Sequence, residues 1–126
     1  MSLRTPLSRV KGLGAAKEGA SHWWHQRLTA IAMIPLALWF SFSIALLAVA
    51  DYSTVTAWIG SPLSSALMIL AIVTGFYHGY LGLQVVIEDY VSQEPLKIAL
   101  LIAIALLAVL FTTLGVVSIL KISFGA

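Results

Sequence analysis

There is no cysteine in this chain. Disulfides, thiolate nucleophiles, cysteine zinc sites and iron–sulfur ligation by this chain are therefore excluded. Charge is nearly as scarce. Seven basic and five acidic residues make up 10% of the chain, against about 25% in soluble domains. A net charge of +2 gives no basic surface for a phosphate backbone, so nucleic acid is not an expected partner. No glycine-rich nucleotide loop, nucleophile elbow or cluster of metal-ligating residues occurs. Alone, the chain has no evident chemistry for transforming an organic substrate. No internal repeat and no pair of interrupted half-helices suggests a transporter.

What is abundant is apolar surface. The chain has 126 residues and is 60% hydrophobic, more than so short a chain can bury in a globular core. The expected class is an all-α integral membrane protein with three transmembrane helices. The spans are expected at about 28–50, 63–87 and 98–120. At about 1.5 Å per residue the first reaches roughly 35 Å, enough to cross a hydrocarbon core of about 30 Å. Pro35 is expected to kink it. Residues 51–62 read as a short loop, with Tyr52 and Trp58 as interfacial anchors and Ser61-Pro62 as a helix start. Residues 88–97 read as a second loop, with Pro95 breaking the helix. Residues 1–20 read as a flexible cytoplasmic tail in which Gly12, Gly14 and Gly19 interrupt helix. Residues 21–126 form the three-helix membrane domain. The N-terminal flank carries Arg4, Arg9, Lys11, Lys17 and Arg27, and the first loop carries no basic residue. The positive-inside rule puts the N-terminus in the cytoplasm and, after three spans, the C-terminus on the periplasmic side.

The second span carries the chemistry. His78 is its one strongly ionisable side chain, and an ionisable residue within a span is a functional candidate by default. His78 and Asp89 are 11 residues apart. At about 100° per residue they differ by roughly 20° after three turns and share a face. Gly75, Gly82 and Val85 lie on it too, so small residues flank a ligand-type side chain and leave room for something bulky and flat. Gly75 and Gly79 also form a G-x-x-x-G pair suited to close helix contact. Three roles for His78 stay open: an axial haem ligand, a structural hydrogen bond across helices, and a proton relay. One histidine supplies one axial ligand, so a six-coordinate haem would take its other ligand from another subunit.

Asp89 and Tyr90 read either as an interfacial cap or as a quinone headgroup site. A phenol can donate to a quinone carbonyl, and a nearby acid can orient donors or carry protons. Arg27 reads as a snorkelling anchor, as a partner of haem propionates or as a residue that orients the tyrosine. His22 and His25 read as interfacial polar groups, and Trp23-Trp24 as an interface anchor.

Residues 20–120 resemble a known family. His78, Gly82, Gln84-Val85 and Asp89-Tyr90-Val91, with Arg27-Leu28-Thr29-Ala30 opening the first span, look like the hydrophobic membrane anchor (D) subunit of succinate dehydrogenase, respiratory complex II. The version His22-Trp23-Trp24-His25-Gln26-Arg27 is most similar to that of alphaproteobacteria. The resemblance implies a two-subunit helical bundle in the bacterial inner membrane, shared with a second, cytochrome b556-like anchor subunit. It implies a flavoprotein subunit holding FAD and an iron–sulfur subunit holding the clusters. Electrons from succinate, a tricarboxylic acid cycle substrate, would pass through them to ubiquinone. Carried onto this chain, His78 matches an axial ligand of haem b shared between the anchors. Tyr90 matches the quinone-binding tyrosine and Asp89 its acidic neighbour. Arg27 matches an arginine near the haem propionates. The competing expectations are the anchor of a fumarate reductase and a cofactor-free structural membrane protein.

Overall fold

A computed structural model describes residue 6 and residues 16–125. Among these residues the chain is all helical, with four helices in order: α1 (Ala16–Leu47), α2 (Tyr52–Gly60), α3 (Pro62–Tyr90) and α4 (Glu94–Ser123). Three contain stretches long and apolar enough to cross a membrane: Gly19–Leu47, Pro62–Tyr90 and Glu94–Ser123. The three expected spans are all present. The helices that carry the second and third run on past both ends of the apolar runs, while α1 starts well before the expected Leu28 but stops at Leu47, short of the expected end at residue 50. Hydropathy marks the part of a helix that lipid touches, whereas backbone hydrogen bonding continues through the polar ends. So α1 begins before Ser21, and α3 carries Glu88, Asp89 and Tyr90 as its last turn.

Three local expectations change. Gly19 does not interrupt helix but lies inside α1, since a glycine costs a helix only about 1 kcal/mol relative to alanine. Gly12 and Gly14 lie outside the described residues. The first connection is not a loop but holds the nine-residue helix α2. Asp51 caps it: its Oδ1 accepts from the Thr54 backbone N–H at 3.0 Å and its Oδ2 from the Ser53 hydroxyl at 2.9 Å, filling orphan donors of the first turn. These bonds, from Thr54 first and then Ser53, hold the Asp51 carboxyl below the usual carboxylate range. Pro95 sits in the first turn of α4, and Pro62 opens α3, both where a missing N–H costs nothing. Pro35 lies inside α1 and leaves the Ile31 carbonyl without its helical donor.

α3 is the middle helix. It packs along α4 on one side and against α1 on the other, while α1 and α4 share no packed face. The α3–α4 contact is close at Gly115, where an added Cβ would stand 3.0 Å from Ile72 Cγ2. Phe76 stacks on Phe111 nearby, with centroids 5.9 Å apart. Gly75 and Gly79, the expected close-contact pair, have nothing within 4 Å. They line an α3–α4 groove of about 250 Å³ instead. At the far end α2 leans on α4, with Gly60 against Ser123, and Trp58 stacks on Trp39 of α1 at 5.5 Å. Among the described residues only Leu81, Ile87, Ile119 and Ser64 are buried. The rest of the apolar surface is open, as on helices that lipid or neighbouring helices cover.

Candidate functional site

The site is built on the crossing of α1 and α3. On α1, His22, Gln26 and Thr29 recur at i, i+4 and i+7 and therefore share one face. All three are half-buried. The facing positions on α3 are His78 and Gly82. Thr29 Oγ1 lies 2.9 Å from His78 Nδ1. A Cβ built on Gly82 would lie 3.7 Å from Gln26 Nε2, an ordinary contact. Gly82 is thus where the α1 side chain Gln26 approaches α3. The two contacts also set the register: Thr29 lies opposite His78 and Gln26 opposite Gly82, so the helices run antiparallel.

This seam is polar inside an otherwise apolar protein. Thr29 Oγ1 approaches the His25 carbonyl at 2.7 Å and the Gln26 carbonyl at 3.1 Å, the back-bonding usual for a helical threonine. His22 Nε2 and Gln26 Oε1 are buried without a partner. Such an orphan costs about 1–3 kcal/mol. His78 is half-buried, and its Nε2 makes no hydrogen bond among the described residues yet is not among the buried orphans. That nitrogen is therefore accessible at the protein surface, with its ring held from the other side. His25 lies beside the seam, its ring edge-on to Tyr77 at 6.2 Å.

The remaining predicted residues fall on two levels. Arg27 bends one turn toward the N-terminal end, its Cζ 5.5 Å from the Trp23 ring centre, in cation–π range. Asp89 and Tyr90 close α3. Tyr90 is 85% exposed, and neither makes a side-chain hydrogen bond among the described residues. Glu88 differs, accepting from Gln84 Nε2 at 3.0 Å. From Gly82 to Asp89 is about 10 Å along the helix, so Arg27 lies below the acid–tyrosine pair. The one ion pair among the described residues is Lys97–Glu94 at 2.9 Å. Gly75 opens on the α4 side of α3, and Gly82 on the α1 side.

Among the described residues no group of three or more histidine, aspartate or glutamate side chains converges on a metal-sized space. A single axial ligand to a macrocycle is a different demand, and His78 meets it. It offers one accessible nitrogen while a neighbour engages the other. Thr29 is the functional candidate that sequence reasoning missed. Its residue type gave no signal, because nothing in one chain's periodicity says which residue of α1 stands opposite His78.

Fold and site define a helical membrane protein of three spans, with one histidine held at a polar helix crossing and an exposed acid–tyrosine pair at a helix end. Residues 1–114 match the family described as the succinate dehydrogenase/fumarate reductase transmembrane subunit. The succinate dehydrogenase hydrophobic membrane anchor subunit of Rickettsia bellii is 33% identical over 116 residues, covering 92% of this chain and 93% of that protein. The subunit of the same description from Paracoccus denitrificans is 27% identical over 100 residues, 79% and 78% of the two chains. The succinate dehydrogenase membrane anchor subunit of Reclinomonas americana is 30% identical over 96 residues, 74% and 80%. The chain belongs to the succinate dehydrogenase/fumarate reductase transmembrane subunit family.

Proposed function

We propose that this chain is the hydrophobic membrane anchor subunit of a succinate:ubiquinone oxidoreductase, giving His78 to a haem b and Tyr90 with Asp89 to the ubiquinone site. Family membership supports the anchor role. The observation that carries the haem assignment is His78 itself. Its Nδ1 is engaged by Thr29, and its Nε2 is accessible and has no hydrogen-bond partner among the described residues. A haem bound there supplies a one-electron centre whose potential the axial ligand helps to set. The second, cytochrome b556-like anchor subunit would supply the residue that holds the haem from the other side.

Tyr90 and Asp89 support the quinone reading by what they lack. An exposed phenol and carboxylate with no partner among the described residues are free to complete a site with other subunits. The Tyr90 hydroxyl donates to a quinone carbonyl, and Asp89 holds or passes a proton as the quinone is reduced. FAD and the iron–sulfur clusters belong to the flavoprotein and iron–sulfur subunits. The basic N-terminal flank favours a cytoplasmic N-terminus in the bacterial inner membrane, which puts Asp89 and Tyr90 on the side of those subunits. Arg27, reaching toward that side, is suited to a propionate.

A structural reading competes, in which His78 only ties α3 to α1. The Thr29 contact favours it, and the unpartnered Nε2 is what it leaves unexplained. Loss of the haem spectrum in His78→Leu separates the two, and purification through a tag on this chain in mild detergent tests the anchor role. The anchor role predicts co-purifying flavoprotein, iron–sulfur and second anchor subunits, with succinate-dependent ubiquinone reduction. The chain emerging alone would contradict it.

A further inference from the structure

We propose that Thr29 is a positioning residue for His78, fixing the imidazole as the Nδ1–H tautomer so that the Nε2 lone pair is the ligand. The proposal rests on the haem assignment above and deepens it.

A threonine hydroxyl has one hydrogen and can accept through two lone pairs. Thr29 Oγ1 has three neighbours: the His25 carbonyl at 2.7 Å, the Gln26 carbonyl at 3.1 Å and His78 Nδ1 at 2.9 Å. The carbonyls can only accept. At 2.7 Å, a hydroxyl aimed elsewhere would leave two oxygen lone pairs facing each other with no hydrogen between them. The single hydrogen therefore goes to the His25 carbonyl, the nearer of the two. With that hydrogen committed, Oγ1 meets His78 only as an acceptor. Nδ1 must then carry the ring proton, and in a neutral imidazole Nε2 is left as a bare lone pair. That nitrogen is the accessible one without a partner.

The chain of donors runs from His78 Nδ1–H to Thr29 Oγ1, and from the Thr29 hydroxyl to the backbone of α1. It does three things for a ligand. It selects the tautomer, it fixes the plane of the ring, and it raises the basicity of the ligating nitrogen. The acceptor comes from a different helix, so the α1–α3 crossing itself aims the imidazole. Valine keeps the shape of threonine and cannot accept; serine keeps the hydroxyl.

The test uses the whole complex with Thr29→Val and Thr29→Ser, reading haem content, ferric low-spin resonance and midpoint potential. Thr29→Val is expected to weaken haem retention by about 10- to 100-fold. The potential of the haem that remains should move positive, because a less basic ligand stabilises the ferric state less. Thr29→Ser should restore retention, resonance and potential. Where valine blocks assembly, Thr29→Ala replaces it and the same comparison decides. Wild-type values in the valine or alanine variant would overturn the positioning role, as would a serine variant shifted as far as either. A wild-type complex without haem would overturn the haem assignment itself, a different result from a haem-bearing complex indifferent to residue 29.

Discussion

Removing one oxygen from Tyr90 tests the proposed quinone role separately from folding and assembly. Tyr90 is the last residue of α3, is 85% exposed and makes no side-chain hydrogen bond among the described residues. Tyr90→Phe therefore orphans no group within the chain, and its effect on folding should stay within about 0.5 kcal/mol. On the proposed reading the loss falls on the quinone. A neutral hydrogen bond is worth about 0.5–1.5 kcal/mol, and one to a charged oxygen about 1.5–3 kcal/mol. Negative charge builds on the quinone oxygen during reduction, so the upper range applies, corresponding to about a 10- to 100-fold slower reaction. The assay compares succinate-driven ubiquinone reduction with succinate-driven reduction of a soluble artificial dye, in one preparation. The quinone rate should fall by that factor while the dye rate stays at wild type. Unchanged quinone reduction would refute the hydrogen-bonding role. An equal fall of both rates would refute the claim that the substitution leaves assembly intact.

Three further perturbations follow from the packing. Gly115→Ala places a methyl 3.0 Å from Ile72 Cγ2. Overpacking costs about 1–3 kcal/mol against a helix-propensity gain of about 1 kcal/mol, so denaturant titration in detergent should show a modest net loss, and a gain would refute the close α3–α4 contact. Gly82→Leu drives a side chain into Gln26 and should push α1 from α3, lowering haem content together with His78 ligation; full haem content would show that nothing depends on the small residue there. Asp51→Ala should fray α2, read as faster hydrogen exchange at Thr54 and Val55. Because the folded-state pKa of Asp51 is depressed, its stabilisation is complete above the ordinary aspartate range and is lost as pH falls through and below that range. In acid the wild type and the alanine variant should therefore converge.

Much of the fold was legible because a bilayer imposes long apolar runs, and three such runs stand out between Arg27 and Lys121. The helix ends were not, because polar residues such as Ser21 and Glu88 continue a helix that hydropathy has stopped marking. α2 was hidden for a different reason: nine residues rich in threonine, serine and aromatics read as interfacial loop. Gly75 and Gly79 show the limit of a motif. Small residues four apart permit a close approach but do not choose a neighbour, and a close approach is made instead at Gly115 of α4, where no such pair marks it. His78 was legible because an imidazole among aliphatic residues is costly. Thr29 was not, because its part depends on the register between α1 and α3, which is set by packing rather than by either helix alone.

The most direct test of the central claim is a reduced-minus-oxidised visible spectrum of the complex purified through this chain, compared between wild type and His78→Leu. The account predicts a low-spin b-type signal in wild type, lost or strongly altered in the variant, while the three spans and the partner subunits remain. An identical spectrum and midpoint potential in the two proteins would contradict His78 as the ligand.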